Sequence, residues 1–348
     1  MGSKIKTAAL LLCAAIFITG CKKTPDKASS VSKTVPDSPV ISSEVSEASS
    51  EESAPSVPEA PTESAASSKP QVSSKPAAQP SAPPAPVSDI PGYPVPETVP
   101  ESGVPFTAKS YSDDELMQLD NTRNGYGHGN KKDNANRPTV AMAAQERVKD
   151  YGGVFIAPPS NYVFLTFDLG YENGYTSKIL DTLAQRNAKG VFFVTMSYCK
   201  SAPAIVERII REGHVLGNHS VSHKSMPSLS IAEMKSEIMG LHDYIKNTYG
   251  YEMFLFRPPM GEYSIRTVAV AQSLGYQTMN WSFAYKDWDT KNQPEENYAR
   301  QKMIDDAHGG AVYLIHAVSK TNAAVLGSVI DGIRAKGFET AKYVKITQ

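Results

Sequence analysis

From Tyr162 onward the chain switches repeatedly between two hydrophobic periods. Short apolar runs, "YVFLTFD" from Tyr162, "GVFFVT" from Gly190 and "HVLGNH" from His214, read as strands. So do "MFLFRPP" from Met253, "YQTMNWS" from Tyr276, "AVYLIH" from Ala311 and "FETAKY" from Phe338. Between them lie segments of helical period. "TSKILDTLAQRN" puts Ile179, Leu180 and Leu183 on one face, and "SAPAIVERIIREG" carries Pro203 in its first turn and Gly213 at its end. The segment from Ser230 to Gly250 has a capping box, Ser230 with Glu233, and an apolar stripe of Met234, Ile238, Leu241 and Ile245. Further helices are predicted to open at Ser264 and to run from about Glu295 to Ala307 and from about Ala323 to Lys336. A polar, Asn-rich stretch from Ser110 to about Pro138 and a helix from Val140 to Tyr151 precede the alternation.

About seven strands, each but the last followed by a helix, imply a parallel α/β sheet covered by helices, either open or closed into a barrel. The polar residues favour the barrel. Asp168, His219, Arg257 and His316 end four different strands, and Asp287 lies in the loop after a fifth. A (β/α) barrel brings all its C-terminal strand ends to one face, whereas an open sheet gathers ligands at one switch point.

The first third of the chain has a different pattern. Lys4 and Lys6 precede an apolar run from Ala8 to Ile18, too short for a mature membrane span and suited to the core of a signal peptide. It ends in Ile18-Thr19-Gly20-Cys21, which resembles the lipobox of bacterial lipoproteins and implies acylation of Cys21. From Lys22 to about Val104 the residues are mostly Ser, Pro, Ala and Glu, a composition that cannot bury enough apolar surface to order itself. About 80 such residues reach on the order of 50 Å as a coil and about 250 Å as polyproline II. The expected organisation is a leader over 1–20, a lipid-anchored linker over 21–104, an extension packing on the main domain over 105–160, and the main domain over 161–348. The expected location is the outer side of the cytoplasmic membrane, with the anchor holding it there.

Charge and cysteine content narrow the chemistry. With 35 Lys and Arg against 36 Asp and Glu, and no basic block in the folded part, nucleic acid is not an expected partner. Of three cysteines, Cys13 leaves with the leader and Cys21 carries the lipid, so Cys199 is expected to be a buried structural thiol. "GNHSVSH" spaces His219 and His223 four apart, which on a helical turn would present two imidazoles to one divalent metal. Of the other histidines, His308 precedes two glycines at a helix end, where a cation is favoured.

Taken together, "TFDLG", "HSVSH", "RPPMG", "DW" at 287 and 288, and "LIH" resemble, in order, the motifs of the polysaccharide deacetylase family, the NodB homology domain. The resemblance covers about Asn161 to Gln348. It is closest to the branch that deacetylates N-acetylmuramic acid in forming muramic δ-lactam, through "TFDLGYENGYTSKILDTL", "NWSFAYKDW" and "YLIHAVSKTNAAVL". It implies a distorted (β/α) barrel and hydrolysis of N- or O-acetyl groups on sugars. A divalent metal, Zn, Mn or Mg, would sit on His219 and His223. Asp168 would be the general base with Arg257 paired to it, and His316 the acid held by Asp287. Tyr171 and Trp288 would contact sugar, and the partner would be peptidoglycan or a related N-acetylated glycan.

One position departs from the family pattern. Leu169 stands where most members carry a metal-binding Asp, so a weak metal site is expected unless Glu172 supplies an oxygen. Two alternatives accompany the leading reading: a deacetylase or esterase acting on chitin or xylan, and a barrel that binds wall glycan without turning it over.

Overall fold

The computed structural model describes residues 98–348; the expected leader, Cys21 and most of the expected linker fall outside the described residues. The central sheet contains the strands β1 (Gly153–Val154), β2 (Tyr162–Leu169), β3 (Gly190–Val194), β4 (Val215–Asn218), β5 (Leu255–Phe256), β6 (Gln277–Met279), β7 (Ala311–His316) and β8 (Glu339–Thr340). Its order is β7-β2-β3-β4-β5-β6-β1, with β8 pairing the start of β2, and every pair is parallel. The two edges of this order, β1 and β7, are not paired with each other; the segment after β6 reaches β7 through the bridge of Phe283 with Tyr313, with the Ser282 and Phe283 amides donating to the Val312 carbonyl and the Leu314 amide to that of Phe283. The sheet is therefore a curled, distorted barrel.

All seven strands expected from the sequence form. β1 comes in addition, from within the stretch expected to be an extension; a Gly-Val pair is too short to show any alternation. The ordered fold also begins earlier than residue 105. Glu101 and Ser102 pair with Lys342 and Tyr343, and the Val104 amide donates to the Tyr343 hydroxyl at 3.1 Å. Helices lie where the 3.6-residue period placed them, including Ile231–Tyr249 with its Ser230–Glu233 capping box and Thr139–Val148 with a 3-10 turn after it. The sequence reading passed over a helix at Asp113–Gln118, capped by Ser112 and Glu115.

Strand alternation sorts the core into two layers. Phe164, Val191, Phe193, Val215, Leu255, Met279, Val312 and Leu314 form a cluster with no residue of the covering helices, which is the barrel interior. Their neighbours Val163, Leu165, Phe167, Leu169, Phe192, Val194 and Ile315 form the layer shared with Ile179, Leu183, Ile238, Leu241 and Val329 of the helices. Asp168 shares the parity of Phe164 and Thr166. Leu169 shares that of Phe167, is fully buried, and belongs to the helix-facing layer.

That placement decides what a carboxylate at 169 would do. Leu169→Asp is expected to cost about 3 kcal/mol or more, because an unpaired polar group replaces a packed side chain, and to lower the melting midpoint by roughly 10 °C. Titration with Zn²⁺ and Mn²⁺ alongside melting curves checks it. Unchanged melting with tighter metal binding would show that residue 169 faces the histidines.

Candidate active site

At the C-terminal end of the barrel a buried guanidinium organises the carboxylate that β2 delivers. Arg257, fully buried, follows β5 and extends its side chain across the interior. Its Nη1 donates to Asp168 Oδ1 at 2.6 Å, Nη2 to Thr166 Oγ1 at 2.7 Å and to the Asn280 carbonyl at 3.1 Å, and Nε to the Met279 carbonyl at 3.0 Å. The Phe193 ring lies 4.1 Å from the guanidinium carbon, a cation–π contact inside the barrel. Gly217 makes room for that ring, since a Cβ there would come within 2.5 Å of Phe193 Cδ1. Burial pushes the Asp168 carboxyl towards its neutral form, but the charge of Arg257, then His219 and His316, outweighs it and holds the pKa below the usual carboxylate range.

His219 and His223 meet, though not on a helical turn. β4 ends at Asn218, and the chain then folds back through Ser220 at φ 71° and His223 at φ 56°, a left-handed conformation costly for both residue types. Side chains hold the turn: Asn218 Oδ1 accepts from the Ser220 amide at 2.9 Å, and Ser220 Oγ accepts from the His223 amide at 2.9 Å. The two rings end edge to face, 4.8 Å between centroids. His219 Nδ1 lies 2.8 Å from the Arg257 carbonyl, so it carries the proton and leaves the Nε2 lone pair facing Asp168 Oδ2 at 3.6 Å. Burial, then the charges of His223 and Arg257, push the His219 pKa down to about 4; burial also lowers that of His223. Both rings are neutral near pH 7, the form that ligates metal.

On the other flank, Asp287 and His316 form a second pair. Asp287 Oδ1 lies 2.6 Å from His316 Nδ1, and Oδ2 accepts from the His316 amide at 2.8 Å. Burial alone would lower the His316 pKa; the charge and hydrogen bond of Asp287, with the charge of Asp168, raise it instead. In the β2–β7 ladder His316 stands in register with Asp168, so the two pairs occupy adjacent strands at the same level.

The ligand set is where sequence and geometry part. Leu169 points to the helix layer, and Glu172, the suggested substitute, is committed elsewhere. Its Oε1 accepts from the Gly174 amide at 2.7 Å, and its Oε2 accepts from Thr176 Oγ1 at 2.6 Å and the Tyr198 hydroxyl at 2.7 Å. Its Oε1 also accepts from the Thr176 amide at 3.4 Å, which places the carboxylate at the start of the helix Thr176–Gln185. Among the described residues no three His, Cys, Asp or Glu side chains are grouped as a metal site. The neutral imidazoles of His219 and His223 suit a divalent ion in donor type; any further oxygen there must come from Asp168, water or substrate.

Tyr171 and Trp288 are 54% and 53% exposed, and the Trp288 ring lies 5.9 Å from that of His316. Cys199 is buried and burial pushes its thiol up to about 12. His308 departs from the expectation of a helix-end cation: it is buried against Ser282 Oγ at 2.8 Å, and burial drives its pKa down to about 4. Sequence reasoning passed over Thr166, Tyr285 and Asn322. Thr166 could have been found by its parity with Asp168 on one strand; the others carry no signal of spacing or type.

Comparison with known proteins agrees with this architecture. The family description "Polysaccharide deacetylase" matches residues 156–279. An uncharacterized 30.6 kDa protein of Geobacillus stearothermophilus is 40% identical over 210 residues, covering 60% of this chain and 79% of the relative. Peptidoglycan-N-acetylmuramic acid deacetylase PdaA of Bacillus subtilis is 39% identical over 177 residues, covering 51% of this chain and 67% of the relative. The solved structure of Bacillus subtilis PdaA, a family 4 carbohydrate esterase, superposes with a TM-score of 0.60 at 32% identity, covering 66% of this chain and 96% of that one. With its curled parallel barrel and these two held pairs at the strand ends, the chain belongs to the polysaccharide deacetylase family.

Proposed function

We propose that this enzyme hydrolyses N-acetyl groups on cell-wall glycan, with N-acetylmuramic acid of peptidoglycan as its sugar. The observation that carries the reading is the register of β2 against β7: a carboxylate paired with Arg257 and an imidazole whose protonated form Asp287 favours stand level on adjacent strands. Amide hydrolysis needs both. Asp168 takes a proton from the attacking water as it adds to the acetyl carbonyl. His316 gives a proton to the sugar nitrogen, so that the C–N bond breaks with a neutral amine leaving and acetate remaining. Tyr171 and Trp288 offer ring faces on which sugars stack. A divalent ion on His219 and His223 would supply polarisation of the carbonyl and a more acidic water. The choice of sugar is supported by the identity with the Bacillus subtilis deacetylase and by the "YLIHAVSKTNAAVL" stretch. Cys21 and the Ser/Pro-rich linker support a lipid-anchored enzyme outside the cytoplasmic membrane that reaches into the wall.

Mass spectrometry of purified glycan strands, with and without stem peptides, is the direct test. Loss of one acetyl per muramic acid is expected, and His316→Ala is expected to lower turnover about 10²-fold or more while glycan binding persists. Strands deacetylated only at glucosamine would overturn the choice of sugar, and no acetyl loss from any strand would overturn the reaction.

The raised pKa of His316 gives a second test. A proton donor works below its pKa, so kcat is expected to fall as pH rises through the His316 value. Asp287→Asn removes the charge that raises it, so the basic limb is expected to move to lower pH, with kcat reduced about 10²-fold or more. A basic limb that stays in place in Asp287→Asn would mean that another group donates the proton.

A further inference from the structure

Behind the Asp287–His316 pair lies a polar layer that the chemistry above leaves unused. Asn322 is the third residue of the helix Lys320–Ala335, whose N-cap is Ser319; Ser319 Oγ accepts from the Asn322 amide at 3.0 Å. The Asn322 side chain therefore takes no part in capping. Its Nδ2 donates to Asp287 Oδ2 at 2.7 Å and to the His316 carbonyl at 3.1 Å, and its Oδ1 accepts from the Tyr285 hydroxyl. Both Asn322 and Tyr285 are buried.

These partners fix the amide in one orientation. Turning it over would set its oxygen against the Asp287 oxygen and the His316 carbonyl, and its NH₂ against a hydroxyl hydrogen. The phenol remains a donor, because burial, then the charge of Asp287, raises its pKa. An aspartate's terminal torsion is otherwise broad, so a carboxylate with one partner can swing its oxygens. Here Oδ2 is pinned by the His316 amide and Asn322 Nδ2, which leaves Oδ1 for His316 Nδ1 and Nε2 for the substrate side.

We propose that Asn322, locked by the Tyr285 hydroxyl, is a positioning residue for catalysis: it holds the Asp287 carboxylate in the plane that aims His316 at the scissile amide. The proposal rests on His316 being the proton donor, as argued above. The charged groups that bear on His316 are Asp287, Asp168 and Arg257, and His316 in turn bears on His223. If Asn322 is removed, Oδ2 keeps only the His316 amide as donor, so the carboxylate is held less firmly against Nδ1 and the support that raises the His316 pKa weakens.

Asn322→Leu keeps the volume and Tyr285→Phe keeps the ring, so both are tested on the full chain with two readouts. The first is the pH dependence of kcat and KM on acetylated glycan strands; the second is NMR titration of the His316 imidazole, which needs no turnover. Asn322→Leu is expected to lower kcat about 10- to 100-fold, as misaimed catalytic groups do, with KM changed by less than about twofold. The basic limb and the His316 titration are expected to move together to lower pH, and Tyr285→Phe to move them less in the same direction. An unmoved His316 titration overturns the proposal, whether kcat is retained or falls along with the melting temperature. If the wild type removes no acetyl group, the hydrolase reading fails by itself, and the titration of Asn322→Leu against wild type still decides the relay.

Discussion

The Arg257–Asp168 ion pair is the constraint around which the barrel is built. Removing two charges from water costs several kcal/mol per ion, and attraction alone does not reliably offset that. Here the guanidinium is also bonded to Thr166 Oγ1 and to the carbonyls of Met279 and Asn280, so β2, β5 and the end of β6 are tied through one side chain. Phe193 covers its face, and Gly217 leaves the space for Phe193. Replacing a buried ion pair by hydrocarbon of equal volume often leaves a fold as stable or more so. What it would lack is an ionised carboxylate, below its usual pKa, in a water-poor cavity.

The second pair follows the opposite logic. A buried imidazole favours its neutral form, and Asp287 reverses that preference for His316 while burial prevails at His219 and His223. The three histidines are thereby shifted in two directions. The neutral form is favoured at His219 and His223, which offer lone pairs, and the protonated form is favoured at His316 relative to a free imidazole. Fold and chemistry meet in the ladder register, because β2 and β7 bring Asp168 and His316 level without any loop having to move.

Much of this was legible in the sequence. The seven strands followed from short apolar runs, and the placing of Asp168, Arg257 and His316 at strand ends followed from their position in those runs. Even the direction of Leu169 was written in the alternation Val163, Leu165, Phe167, Leu169, which puts it with the helix-facing residues; reading the position by motif alignment obscured that. The histidine loop was not legible, because its shape depends on Ser220 and His223 adopting left-handed backbone that neither residue favours. Nor were Tyr285 and Asn322, whose roles arise only when a loop and a helix terminus meet. β1 escaped because two residues have no period.

The central claim is that Arg257 keeps Asp168 ionised inside the barrel, and the acid limb of kcat/KM measures it most directly. Asp168 must be deprotonated to accept the water's proton, and the cation beside it lowers the pH at which that occurs. In Arg257→Gln, compared with wild type at pH values where both remain folded, the acid limb is predicted to move up by at least about one pH unit, as for loss of a contacting opposite charge. An acid limb in the same place in both proteins would contradict the account.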